Sequence, residues 1–399
     1  MRTLARILAS RGMASIGFVR RVSTVGGTGN GIRPDRSAGN ENATRQTCAA
    51  NALAARPAGP ANAGARSRSA APDQTIMPDD YRVVVVSDIH YASEGEQARR
   101  GYEARVIQNW SQKLFVRLFR QFIWLKDPLG HNHLLDRFLA AAGAGDLVVV
   151  NGDYSCDSAF VGLSDDAAFA SAQFVLGRLR ERFADRLVAG FGDHELGKTS
   201  LFGGVGGLRL ASWERSCGEL GLEPFWRREL GPWVLLGVVS SLIALPVFGP
   251  DTLPAERAGW EALRAAHLAR IREAFAGLRP DQRVVLFCHD PTAVPFLWRE
   301  PEVRSRLDQL ERTIIGHLHT PLILWKSRLL AGMPPIGFLG NSVRRMTTAL
   351  NEARYWRNFK VTLCHSLAGC QLLKDGGFGE LRLRADGTAA QWRVHPLPW

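Results

Sequence analysis

Aspartate and histidine recur in short groups with glycine: Asp88-Ile-His90, Gly152-Asp153, Gly192-Asp193-His194-Glu195, His289-Asp290 and Gly316-His317-Leu-His319. Any one group is a turn or a packed histidine more often than a ligand; five together describe a cage. Hard divalent cations take carboxylate oxygens and borderline ones accept imidazole, so a mixed set suits manganese, iron, zinc or cobalt better than magnesium or calcium. A carboxylate between two ions about 3.5–4 Å apart can bridge them, and such a pair holds a hydroxide poised for in-line attack on phosphorus. Glycine before Asp153, Asp193 and His317 is expected to permit the sharp turns that aim these side chains.

Each group follows a short apolar, β-branched run of the kind buried in an α/β sheet: 82–87, 147–151, 187–191, 283–288 and 312–315. A similar run spans 233–240. In an open α/β sheet the carboxyl ends of the strands face one crevice, so residues far apart in sequence can meet there. Helical periodicity fills the gaps, clearly at 166–183 and 255–278, and 379–384 with 389–394 read as a hairpin closed at Asp386-Gly387.

The order D-x-H, G-D, G-[N/D]-H-E, H, G-H-x-H over about 82–320 resembles the calcineurin-like metallophosphoesterase superfamily. The resemblance implies a four-layer αββα sandwich of two mixed β-sheets flanked by helices, and two divalent ions. It implies that Asp88, His90 and His319 hold one ion, that Asp153 bridges, and that Asp193, His289 and His317 complete the second site. His194 is similar to the histidine that contacts the phosphoryl oxygen and helps the leaving group depart, and Glu195 to the acid that orients it. An imidazole beside a carboxylate is independently expected to stay protonated near neutral pH. The chain departs from the pattern at Asp193, where the family usually has Asn, and after Asp153, where Asp157 is kept but the following Arg is Ser158. An anion in place of an amide is expected to hold metal more tightly and blunt its Lewis acidity. Asp157 is not assigned as a ligand.

The expected reaction is hydrolysis of a phosphomonoester or phosphodiester by a metal-bridging hydroxide. Two alternatives stand beside it: a non-catalytic metal-binding scaffold on the same fold, and a metal-dependent nuclease.

The 399 residues, 46% hydrophobic, suffice for a large core. Residues 1–76 carry eleven Arg against three acids, a net +8 of the chain's +12, leaving +4 for the rest. The high pI therefore describes the tail, and a nucleic-acid footprint on the body is weakly supported. The tail is read as disordered, with a mis-assigned start ahead of Met77 and an Arg-rich targeting segment as further readings; residues 77–399 are read as one catalytic domain. Six dispersed cysteines without CxxC pairs favour a reducing compartment. A cytoplasmic location is expected, with organelle targeting or peripheral membrane association as alternatives. The uncharged stretch 231–250 is read as a buried strand entering a loop rather than a membrane span.

Gly130-His131-Asn-His133 follows no strand and is read as a helix start or lid; His365 is read as packed or surface-exposed. A helical insertion is expected at about 92–145. In it Ile107, Trp110, Leu114, Leu118, Phe122 and Leu125 recur at helical spacing, and Arg105, Lys113, Arg117, Arg120 and Lys126 add charge. Such a stripe packs against the domain, covers the substrate, or lies on an anionic lipid or membrane surface. The basic, aromatic stretch with Arg344, Arg345, Arg354, Tyr355, Trp356, Arg357 and Lys360 could bind phosphate groups or nucleic acid, and is read first as an exposed, solvated helix.

Overall fold

Alternating side chains of the first strand explain the layers. β1 (Asp80–Val86) sends Val83 and Val85 into a core shared by both sheets, with Leu235, Val285, Phe287 and Ile314, while Val84 and Val86 pack outward with Phe138 and Leu176. The computed structural model describes residues 80–337 and 341–398, all within one compact unit. The readings of the tail fall outside the described residues.

The first sheet has the order β10-β9-β1-β2-β3, with β2 (Leu147–Val150) and β3 (Leu187–Ala189) parallel to β1, and β9 (Gly377–Arg384) and β10 (Ala390–Pro396) antiparallel. The second runs β4-β5-β6-β7-β8. Here β5 (Trp233–Val238), β6 (Arg283–Cys288), β7 (Leu310–Ile315) and β8 (Val361–Leu363) are parallel, and β4 (Trp226–Leu230) is antiparallel at the edge. Both sheets are mixed, their inner faces form one core, and helices cover the outer faces: this is the four-layer αββα sandwich.

Counting helices of nine residues or more, the described chain has α1 (Trp110–Phe122), α2 (His133–Ala141), α3 (Asp166–Phe183), α4 (Leu210–Gly218), α5 (Arg257–Ala276), α6 (Pro321–Leu329) and α7 (Asn341–Asn351). α3 starts where Asp165 accepts the Ala168 N–H as N-cap. The 231–250 stretch is the buried strand β5 followed by short helices, and among the described residues no helix is long and apolar enough to cross a membrane. His133 opens α2, so the Gly130-His131-Asn-His133 group is a helix start.

A buried charge cluster ties β1, β9 and β10 together. Burial alone would raise the Glu380 carboxyl, but hydrogen bonds from Arg382 and Arg82 outweigh it and hold the group down to about 2. A carboxylate depressed on folding contributes stability above its ordinary pKa and loses it as pH falls toward the folded value. Arg382 is half exposed, which screens part of the effect. Glu380→Gln is therefore expected to cost about 1–3 kcal/mol at neutral pH, and to flatten the stability loss between pH 4.5 and 2. Urea unfolding at stepped pH measures both.

Candidate metal centre

The loops that leave β1 and β2 continue side by side: Asp88 N–H donates to the Gly152 carbonyl, His90 N–H to Asp153 and Tyr91 N–H to Tyr154. That ladder brings Asp88, His90 and Asp153 to one place. Asp193 arrives from the turn after β3, His289 from the end of β6, and His317 and His319 from the loop after β7. Five carboxyl ends, three from one sheet and two from the other, meet in one crevice.

Two triads lie on either side of Asp153. In the first, His319 Nε2 is 3.2 Å from Asp88 Oδ1 and 3.2 Å from His90 Nε2. In the second, Asp193 Oδ1 is 3.1 Å from His317 Nδ1 and 3.4 Å from His289 Nε2. Asp153 Oδ2 reaches toward both, 3.8 Å from His90 Nε2 and 3.1 Å from His289 Nε2. Asp88-His90-His319, Asp193-His289-His317 and Asp88-Asp153-His289 each present ligand atoms close enough for one ion.

The backbone is bent to achieve this. Asp88, His90, Asp153, His317 and His319 all have φ between 48° and 60°, a region that costs non-glycine residues energy and is retained where function demands it. The sharp turns are thus made largely by the cage residues themselves. Of the glycines credited with them, Gly152 has φ of 94°, whereas Gly192 and Gly316 serve close approach. A Cβ on Gly316 would meet Asp88 Oδ2 at 2.4 Å, and one on Gly192 would meet Asp153 Oδ1 at 2.0 Å.

Surrounding atoms fix which ring nitrogen faces inward. His289 Nδ1 lies 2.6 Å from the Asn151 carbonyl and His90 Nδ1 3.2 Å from that of Ser155, so each donates there and leaves Nε2 for the cage. Asp153 Oδ1 accepts the His194 N–H, leaving Oδ2 buried with no hydrogen-bond partner; His289 Nε2 is likewise buried and unbonded. Orphaned acceptors aimed at a common point in a nitrogen and carboxylate cage are what a pair of borderline divalent ions would satisfy. Electrostatics agree: burial disfavours charge on Asp88, yet the facing His319 and His289 hold its carboxyl well below the usual range. Burial likewise opposes charge on His289, but the facing Asp153 and Asp88 carboxylates raise it well above its ordinary value.

A family model described as calcineurin-like phosphoesterase matches residues 81–321. The chain belongs to the calcineurin-like phosphoesterase family. Among solved structures, a dimetal phosphatase from Danio rerio is similar, with 13% identity over 79% of this chain and 95% of that chain and a TM-score of 0.41. No curated protein matches.

The calcineurin-like phosphoesterase family is dinuclear and metal-dependent, and membership in it supports a phosphoesterase activity for this chain. Its structure revises two sequence expectations at the site. Glu195 does not orient His194. The two are successive residues of a turn, and the buried Glu195 carboxylate instead accepts the backbone N–H groups of Gly192, Asp153 and Tyr154. It is a positioning residue that pins the β2 and β3 loops together. His194 also lacks the partner that would keep it protonated: its Nδ1 is buried and unbonded, Asp153 Oδ2 is 3.9 Å away, and burial pushes the imidazole down to about 4.

Sequence reading passed over Lys198. Its Nζ lies 2.7 Å from Asp193 Oδ2, while Oδ1 of the same carboxylate faces His317 and His289. One oxygen enters the cage and the other is neutralised by a cation, so the Asp-for-Asn departure is accompanied by its own counter-charge. An acid followed five residues later by a lysine is too common a pattern to have marked the pair. Arg345 departs from the solvated-helix reading: it pairs with the buried Asp251 at 2.9 Å, and together with Arg120 and Trp124 it lines the cavity over the cage. Trp356 of the same stretch is buried. Asp157 accepts the Gly162 N–H and joins none of the candidate ion clusters.

Proposed function

We propose that the protein hydrolyses a phosphomonoester or phosphodiester at a dinuclear centre held by Asp88, His90 and His319 on one side and Asp193, His289 and His317 on the other, with Asp153 shared. The observation that carries this reading is the pair of triads flanking one unsatisfied Asp153 oxygen, beside a cavity of about 200 Å³ that His90, His317 and His319 line. When bound there, two divalent ions of the manganese, iron, zinc or cobalt type supply Lewis acidity, activating water and offsetting phosphoryl charge. The protein's own groups do the rest. Asn151 and Ser155 carbonyls hold the tautomers of His289 and His90, and Glu195 keeps the two carboxylate-bearing loops in register. Neutral His194 lines the cavity beside Asp153 and is placed to touch a phosphoryl oxygen. Arg120 and Arg345 are each anchored by an acid, Glu103 and Asp251, and so present N–H groups in fixed directions.

Protein stripped of metal and reconstituted with manganese is expected to retain two ions per chain by elemental analysis. It should then turn over nitrophenyl phosphate or bis-nitrophenyl phosphate. Two bound ions with no turnover of either ester, at any of the four metals, would replace this reading with the scaffold.

We also propose contact with an anionic membrane surface through α1. The stripe is divided: Ile107 and Leu125 at its ends are buried against the domain, but Trp110 is 76% exposed, Phe122 62% and Leu118 50%. Lys113 and Arg117 lie on the same helix and are suited to anionic headgroups. Flotation with phosphatidylserine vesicles should carry the protein upward, and Leu118→Asp with Phe122→Asp should abolish it; a native protein left in the pellet ends this proposal.

A further inference from the structure

A second cavity of about 370 Å³ borders the cage, and its walls are of a different kind. Three helices build it: Val116 and Phe119 from α1, Ile323 from α6, Ala349 and Leu350 from α7, with Trp356 behind them. It meets the metal-centre cavity at Lys198, His317 and Arg345, which line both. A space with metal ligands and cations at one end and hydrocarbon at the other matches an amphiphile whose polar head is a phosphate. The helices that wall it also carry large apolar side chains in solvent, Trp110 and Phe122 on α1 and Trp325 and Leu329 on α6, each more than 60% exposed. Such exposure is costly to keep unless an apolar phase covers it.

We infer that the substrate is a phosphate ester carrying a hydrocarbon chain, with the phosphate over the cage and the chain between α1, α6 and α7. This rests on the phosphoesterase reading for the head and on the second cavity for the tail. Apolar walls give little orientation but reward length, because each methylene removed from water adds about fourfold to affinity until the space is full. Recognition of a nucleoside would need polar groups directed at a base; Lys326 and Ser327 of α6 do line the cavity, but apolar side chains predominate in its walls.

The test uses the full chain with manganese and n-alkylphosphonates of two to eight carbons, short enough to stay below micelle formation. Direct calorimetric binding and inhibition of nitrophenyl phosphate turnover are both measured. Affinity is expected to climb two- to fourfold per methylene and then level off. Ala349→Phe and Ile323→Trp, each introducing bulk into the cavity, should flatten that climb, with retained metal content confirming an intact fold. A flat series in the native protein overturns the inference, because the cavity is then closed or filled by the chain itself. An equal slope in folded variants overturns it as well. Should neither variant fold, the native series decides alone. Turnover with a flat series sinks the tail site only; a climbing series by calorimetry with no turnover sinks the phosphoesterase reading and keeps the tail site.

Discussion

Asp153→Asn is expected to lower turnover by more than ~100-fold, beyond the loss that follows removal of even an outer-shell partner, and to leave the protein with fewer than two ions. The substitution is close to isosteric. An amide oxygen can still accept the His194 N–H where Oδ1 does now, so the turn after β3 should stay in place. What disappears is a negative charge that faces both triads, 3.8 Å from His90 and 3.1 Å from His289. An amide nitrogen placed there would aim hydrogens at the position an ion must occupy. Metal content and kcat at saturating manganese measure the effect, with thermal melting of the metal-free protein as the control for folding. A variant that keeps both ions and full activity would show that the two triads do not share Asp153.

The second large effect concerns Asp193 and Lys198, because removing either partner of a mostly buried ion pair strands the other. Lys198→Met leaves the Asp193 carboxylate without its counter-charge. In the metal-free protein this should cost about 1–3 kcal/mol, less than a fully buried pair because about a third of the lysine side chain remains exposed. Toward metal the sign reverses: the freed anion should bind the second ion more tightly. Asp193→Asn alone leaves an unpaired ammonium beside the cage and should weaken that ion. The double variant carries the neutral amide of the usual family pattern and no cation from Lys198, and should bring metal affinity back toward the native value. Chelator competition across the four proteins gives the coupling directly. Simple additivity would mean that Lys198 does not compensate for the Asp193 charge.

The strands were legible because burial on both faces leaves a continuous apolar run. The run at 82–87 overlaps β1, and those at 147–151, 187–191 and 283–288 contain or coincide with β2, β3 and β6. α3 occupies the residues its periodicity marked, 166–183. β4 and β8 escaped notice for opposite physical reasons. Trp-Arg-Arg-Glu-Leu is an edge strand whose charges face solvent, and Val-Thr-Leu is too short to show a period. The stripe around α1 was legible as a helix, but whether its apolar side chains face the domain or the solvent depends on what packs beneath them: Ile107 and Leu125 at its ends are covered, while Trp110, Leu114, Leu118 and Phe122 are exposed.

The placing of acids and imidazoles at strand ends was determined by the sequence alone, and parallel strands within each sheet deliver their carboxyl ends to one edge; that the edges of two sheets meet in one crevice was decided by their packing. Tertiary structure decided the rest: that Glu195 grips backbone rather than His194, that Lys198 cancels Asp193, and that a hydrocarbon-lined space borders the cage. Those outcomes depend on side-chain direction across contacts between residues that are remote in the chain or that diverge within one tight turn. Local pattern encodes where an element begins and which face it buries, but not which partner lies within 3 Å of a given oxygen once the two sheets have closed on each other.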